Sequence, residues 1–341
     1  MSELDASTSP QETPTGNEEF TFSSRTDLSG IRKLVADIRS EIGKVIVGQH
    51  HMVDLLVTAL LADGHVLIEG VPGVAKTLTT KLLAQVIDTG FSRIQFTPDL
   101  MPADVIGTSV FNPKETEFEF KKGPIFSNLV LIDEVNRAPA KTQAALFEAM
   151  EEQQVSVDGV THLMEPPFMV IATQNPIEHE GTYRLPEAQL DRFLFKIDVP
   201  YPSLEDEINI LKGSYERGNK LDFSVLDTVI STSELLTQRD IVNQVHVEPE
   251  LMKYIAEIVH STRNSSSISV GASPRASVFL MKASQAWAAI QGRDFVTPED
   301  VKSIVSPVLR HRIILTPEKE MEGISADQVI AITIEKVEVP R

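Results

Sequence analysis

Apolar residues recur at helical spacing from Leu28 to Val45, with Ile31, Leu34, Val35 and Ile38 on one face, and this pattern predicts an amphipathic helix. A second helix is predicted over His50–Ala62. The short apolar run His65–Glu69 reads as a buried strand that leads directly into Gly70. Strand and helix signals then alternate. A helix over Lys76–Asp88, ended by Gly90 as its C′ residue, is followed by a strand at Arg93–Thr97. Next come a hairpin of Ser109–Phe111 with Glu117–Phe120, the apolar strand Leu129–Ile132 and a helix from Pro139 to Glu152. Asp158-Gly159, between Gln154–Val157 and Val160–Met164, is a two-residue hairpin signal. The strand Phe168–Thr173, a short helix at Pro186–Asp191 and the strand Phe193–Val199 complete the unit. Such alternation predicts an α/β fold, a mostly parallel sheet with helices on both faces.

Beyond Pro200-Tyr201-Pro202 the strand signals fade. Ser203 ahead of Glu205 and Asp206 predicts an N-cap and a helix to about Tyr215. Further helices are predicted at Pro249–Thr262, Pro274–Gln291 and Pro298–Arg310, the last opened by Thr297 as cap and Pro298 at the first helical position. The second domain is therefore expected to be helical. Residues 1–24 hold Ser, Thr, Pro, Gly and acids with no Lys or Arg, too little apolar surface to offset ordering entropy, and are expected to be a disordered acidic tail. The expected division is thus tail 1–24, α/β domain 25–200 and helical domain 201–341.

Composition narrows the function classes. With no cysteine, disulfides and thiolate metal sites are excluded, which suits a reducing cytoplasm. No apolar run reaches the roughly 18 residues that a membrane-spanning helix needs, and the acidic start is the opposite of a secretory signal. The formal net charge of −18 argues against a nucleic-acid partner, because phosphate neutralisation by a basic face supplies much of such affinity. Glu178-His179-Glu180 lacks the paired-histidine spacing of a metal site, so no metal beyond Mg²⁺ is expected.

The chemistry concentrates at strand ends. After the first strand comes GVPGVAKT: Gly70, Val71, Pro72, Gly73, Val74, Ala75, Lys76 and Thr77, with Leu78 beyond. A strand, a tight loop of small residues and a helix N-terminus let backbone N–H groups and the helix dipole hold phosphate. Lys76 then reaches the β- and γ-phosphates, while the Thr77 hydroxyl ligates Mg²⁺. Ala75 stands where the general pattern has glycine, and it is expected at negative φ, where a methyl is tolerated. Leu129–Ile132 delivers Asp133 and Glu134 to a strand end. Asp133 is expected to hold the Mg²⁺ hydration shell, and Glu134 to polarise the attacking water as general base. Asn175 ends the strand Phe168–Thr173 and either senses the γ-phosphate and fixes the water or forms an Asn-Pro turn. Arg192 either satisfies helix carbonyls or serves a phosphate. Arg275, at the second helical position after the Ser273 cap and Pro274, sits at the positive end of a dipole, which demands a nearby anion.

In order, GVPGVAKT, LVLIDEVNRAPAKTQAALFEAMEE, VIATQNP, GTYRLPEAQLDRF and GASPRAS resemble the MoxR family of AAA+ ATPases over nearly all of the chain after the tail. That family tends to write alanine before the lysine, so Ala75 supports the resemblance. The resemblance implies a P-loop AAA+ core with an all-helical lid, binding ATP/ADP and Mg²⁺. It implies that Asn175 is sensor 1, Arg275 is sensor 2 on the lid, and Arg192 is an arginine finger for the neighbouring subunit's nucleotide in a homo-hexameric ring. Arg184 and Arg137 either contact that neighbour or form surface pairs. Val47 and Gly48, within Ile46–Gln49, fall in the adenine-side segment. Gly107–Phe126 matches the helix-2 insert and Gln154–Met164 the pre-sensor-1 hairpin of the clade that contains magnesium chelatase and MCM helicase motors. The alternating Phe118 and Phe120 are expected on one buried strand face. The implied function is ATP-driven, chaperone-like remodelling of a protein, with a von Willebrand factor A domain protein as partner. A nucleic-acid motor and a nucleotide-dependent scaffold are the alternatives.

Overall fold

The computed structural model describes residues 26–71, 73–175, 183, 185–216 and 225–340. The expected acidic tail, Pro72, Arg184 and the Glu178-His179-Glu180 segment lie outside the described residues.

The chain opens with α1 (Ser29–Gly43) and α2 (His50–Leu61). The predicted face of α1 is the buried one: Ile31, Leu34, Val35 and Ile38, with Ile42 added. Along α2, Met52, Val53 and every residue from Leu55 to Leu61 are buried, because the helix packs between α1, the sheet and the C-terminal helices. The α/β unit then follows as β1 (His65–Gly70), α3 (Lys76–Val86), β2 (Phe91–Gln95), α4 (Pro102–Ile106), β3 (Gly107–Asn112) and β4 (Glu117–Lys122). It continues through β5 (Leu129–Asp133), a 3₁₀ turn at Val135–Arg137, α5 (Ala140–Glu152), β6 (Gln154–Val157), β7 (Val160–Leu163), β8 (Met169–Gln174), α6 (Glu187–Leu190) and β9 (Phe193–Val199).

The five-stranded sheet has the order β2-β5-β8-β1-β9, with each neighbouring pair parallel. Strand alternation divides the core. Val66 and Ile68 of β1 face α1, α2 and α3, while Leu67 faces the cluster under α5 with Ile132 and Phe147. β1 lies between β8 and β9, so the segment leaving Gly70 emerges near the middle of the C-terminal edge, where open α/β sheets bind ligands.

Beyond Pro200 come α7 (Leu204–Glu216), α8 (Thr232–Val242), α9 (Pro249–Arg263), β10 (Ile268–Val270), α10 (Pro274–Ile290), α11 (Pro298–Leu309), β11 (Ile314–Leu315), α12 (Pro317–Met321) and α13 (Ala326–Glu335). The expected helical character holds, with a two-stranded β10–β11 ribbon added. Ser203 and Thr297 cap as expected, each Oγ accepting a backbone N–H three residues on. The main hydrophobic cluster runs without a break from Leu28 on α1 through Ile68 on β1 to Tyr254, Ile304 and Ile330 of the helical part.

Four expectations need correction. Gly90 does not end α3; the helix stops at Val86 and the left-handed residue is Asp88, at φ 50°. Asp tolerates that region through its short polar side chain. Ala75 sits at φ 60°, not at negative φ. Phe118 and Phe120 do not share a buried face: Phe118 is 75% exposed against Phe111, and Phe120 stacks on His162 with centroids 4.1 Å apart. Phe126 and His162 of β7 cover Phe120, whereas Phe118 meets Phe111 on its own hairpin and stays open to solvent, so alternation alone overstated the burial. Lastly, β2 begins two residues earlier than expected and stops at Gln95, although the Phe96 N–H still donates to the Asp133 carbonyl at 2.9 Å.

Candidate functional site

The loop between β1 and α3 is anchored at both ends. A Cβ on Gly70 would lie 2.9 Å from the Val199 carbonyl, so only glycine lets the loop leave the sheet this close to β9. Val74 is buried in the main core and pins the loop's middle, while Gly73, at φ 88°, faces open space. Ala75 then turns the chain into α3 from the left-handed region, a conformation costing about 1–2 kcal/mol for a residue with a Cβ. Lys76 Nζ donates to the Gly70 carbonyl at 2.6 Å and to the Gln174 carbonyl at 3.4 Å, which folds the ammonium back over the loop.

Parallel pairing brings the carboxylates to that loop. β5 lies two strands from β1, and Asp133, nearly buried, accepts from Thr77 Oγ1 at 3.2 Å and from Thr173 Oγ1 at 3.2 Å on one oxygen. Its other oxygen takes Arg93 Nε at 2.6 Å. Glu134 follows at φ 57°, a second left-handed residue, with its N–H held by Thr173 Oγ1 at 3.1 Å. Its carboxylate accepts from Gln95 Nε2 at 3.2 Å and Arg137 Nη1 at 2.7 Å. Asn175 is buried at the end of β8 and lines the same cleft of about 360 Å³ as Lys76, Thr77, Leu78, Asp133 and Glu134. The structure therefore gathers the loop, both acids and Asn175 at one place.

Arg192 and Arg275 are not there. Arg192 precedes β9 at the end opposite Gly70, which pairs with Val199. Seven strand residues separate those ends by roughly 20 Å. Arg192 Nη2 meets Glu151 Oε2 at 2.5 Å, and Arg275 Nη2 meets Glu151 Oε1 at 2.6 Å. The anion that the dipole at Arg275 demands is thus supplied by Glu151, near the C-terminal end of α5. Asp191 braces the junction, accepting from Ser273 Oγ at 2.9 Å and Arg312 Nε at 2.8 Å.

A larger cavity, about 570 Å³, opens on the β9 side of the loop's first residues and is bounded by His51, Tyr201, Arg310 and Asp327. Asp198 lines it, its carboxyl pushed up by burial despite Arg310 at 2.9 Å, and burial pushes the His51 imidazole down. Val47 and Gly48 do not line it. Gly48 is required by packing, since it lies at φ 77° and a Cβ would sit 2.5 Å from the Asp206 carboxyl carbon. Arg93, Gln95 and Thr173 in the cleft, and His51, Tyr201, Arg310 and Asp327 around the larger cavity, escaped sequence reasoning, whereas Gly70 and Val71, which also line that cavity, were expected. Gln95 is adjacent to Asp133 only through the pairing of β2 with β5, and a lone sequence does not carry strand order.

The family description "ATPase family associated with various cellular activities (AAA)" matches residues 65–195. The AAA lid domain description matches residues 260–332. The YeaC protein of Bacillus subtilis is 46% identical, over 91% of this chain and 96% of its own length. Chaperone MoxR1 of Mycobacterium tuberculosis is 45% identical, over 88% of this chain and 81% of its own. A crystal structure of a candidate ATPase from Cytophaga hutchinsonii superposes with a TM-score of 0.84 at 44% identity, covering 91% of this chain and 96% of that one.

Proposed function

Because the chain belongs to the MoxR family of AAA+ ATPases, we propose that it hydrolyses ATP at the interfaces of a homo-hexameric ring and uses the cycle to remodel or activate a protein partner. The observation that carries this reading is the separation of the site into two halves. Loop, acids and Asn175 share one cleft, while both candidate arginines sit together roughly 20 Å away along β9. A hydrolysis site needs positive charge on the transferring phosphoryl group, and a ring supplies it from the next subunit.

The phosphates lie along the backbone N–H groups from Gly73 to Leu78, and the adenosine end enters the larger cavity beside Tyr201 and His51. Thr77 and Asp133 offer oxygen donors 3.2 Å apart, a set that suits Mg²⁺, and the carboxylate already draws the cation Arg93. When bound, the ion neutralises charge on the β- and γ-phosphates. Glu134 takes the proton of a water positioned by Asn175. The water oxygen bonds to the γ-phosphorus as the bridge to the β-phosphate breaks, leaving ADP and phosphate. Arg137 and Gln95 hold the Glu134 carboxylate until the γ-phosphate arrives.

On this reading residues 25–200 form the nucleotide-binding unit and residues 201–341 the lid. The partner is a von Willebrand factor A domain protein, and the compartment is the cytoplasm, which a cysteine-free chain suits. Glu134→Gln tests the chemistry: nucleotide binding is retained while turnover falls on the order of a thousandfold. Turnover that survives the substitution removes Glu134 as the base.

A further inference from the structure

The proposed function leaves unexplained why two arginines from different parts of the chain meet. Arg192 belongs to the α/β unit and Arg275 to the first turn of α10, yet both guanidinium groups end on the two oxygens of one carboxylate, Glu151. Like charges brought this close repel unless an anion lies between them. Asp191 does not fill that role, since its nearest oxygen is 3.9 Å from Arg275 and its hydrogen bonds go to Arg312 and Ser273. Glu151 is also about one-third exposed, so its two arginines are open to exchange with an incoming anion. Arg192 Nε is buried with no hydrogen-bond acceptor among the described residues, which leaves a donor in hand for a phosphate oxygen.

We propose that Glu151 is a positioning residue that sets Arg192 and Arg275 side by side for the neighbouring subunit's triphosphate. The inference rests on the reading that these arginines act between subunits. Glu151 touches no reacting atom. It neutralises the pair while the interface has no nucleotide, fixes the lid against the end of α5, and yields both guanidinium groups when phosphate competes for them. His65, the first residue of β1, meets the Met150 carbonyl at 3.1 Å. The end of α5 that carries Glu151 therefore lies at the opposite end of β1 from Gly70, roughly 16 Å along the strand and beyond reach of its own subunit's loop.

The experiment uses full-length chains mixed before ring assembly. In rings of Glu151→Gln alone, kcat is expected to fall on the order of a hundredfold, as for misplaced catalytic groups, while ADP affinity at the subunit's own loop stays within about twofold. Mixing those chains with Lys76→Ala chains is expected to restore turnover, because each Lys76→Ala subunit offers intact arginines to an intact loop. Wild-type kcat in Glu151→Gln, or a joint loss of ADP binding and turnover with no recovery on mixing, overturns the inference. If Glu151→Gln does not assemble, Glu151→Asp keeps the charge and withdraws it by one methylene. That ring is expected to lose about tenfold in kcat with ADP binding intact, and wild-type kcat there overturns the proposal. A parallel mixture of Arg192→Ala with Lys76→Ala separates the two claims. Recovery in that mixture but not with Glu151→Gln rejects Glu151 alone; no recovery in either assembled mixture rejects the action between subunits.

Discussion

Ala75 and Glu134 hold their side chains at φ 60° and 57°, one on each wall of the cleft. Both are strained for residues with a Cβ, and backbone strain tends to gather where geometry serves function. Replacing Ala75 by glycine relieves about 1 kcal/mol of that strain but frees the unfolded chain by a comparable 0.4–1 kcal/mol or so. Ala75→Gly is therefore expected to unfold in urea within about 1 kcal/mol of the wild type and to keep ADP binding. Ala75→Val, β-branched at positive φ, is expected to lose about 2 kcal/mol or more. Equal stability for all three chains contradicts the strain. The sequence carried the identity of these residues, because small residues between a strand and a helix, and paired acids after an apolar strand, are local signals. Their backbone angles were not local. The left-handed turn at Ala75 belongs to the path by which the chain leaves Gly70 and enters α3, which one sequence does not state.

At the scale of elements, apolar periodicity located α1, α3, α5 and the strands β1, β5, β8 and β9, because each buries a continuous face, while β2, with only Ile94 buried, was placed two residues late. It missed α8, where only Leu235, Arg239 and Val242 are buried and the apolar face is thin. A different signal was present: Ser231 and Glu234 form a capping box, as Ser325 and Gln328 do at α13. The junction of lid and core is the least legible element. Just past α11, the Arg312 guanidinium is buried, its pKa lowered to about 10 by that burial, and it bonds Asp191 and the carbonyls of Asp191, Phe193, Leu194 and Val308. No motif marks it. Removing the guanidinium takes the buried cation from Asp191, which keeps only Ser273 Oγ at 2.9 Å and the more distant Arg275, and strips a charged donor from those carbonyls. Arg312→Ala is therefore expected to destabilise the chain by about 3–5 kcal/mol in urea unfolding. A loss below about 1 kcal/mol contradicts the anchoring role.

At the scale of the molecule, one core joins α1 and α2 to the helices after Pro200, and Arg312 fixes α11 against the start of β9. This placement keeps Arg275 beside Arg192 and away from the chain's own loop. The fold class was readable from alternation, and the family from its ordered motifs. The resemblance already implied that Arg192 serves a neighbouring subunit, but the meeting of Arg192 and Arg275 on Glu151 was not readable, because it depends on which end of β9 the lid covers. On the proposed reading, the loop of one subunit is completed by the arginines of the next. The most direct measurement is ATP turnover of rings assembled from equal amounts of Arg192→Ala and Lys76→Ala chains. Each parent ring is expected to be reduced on the order of a thousandfold, and the mixture to regain a substantial share through interfaces where an intact loop meets an intact Arg192. Assembled mixed rings no more active than either parent contradict the account.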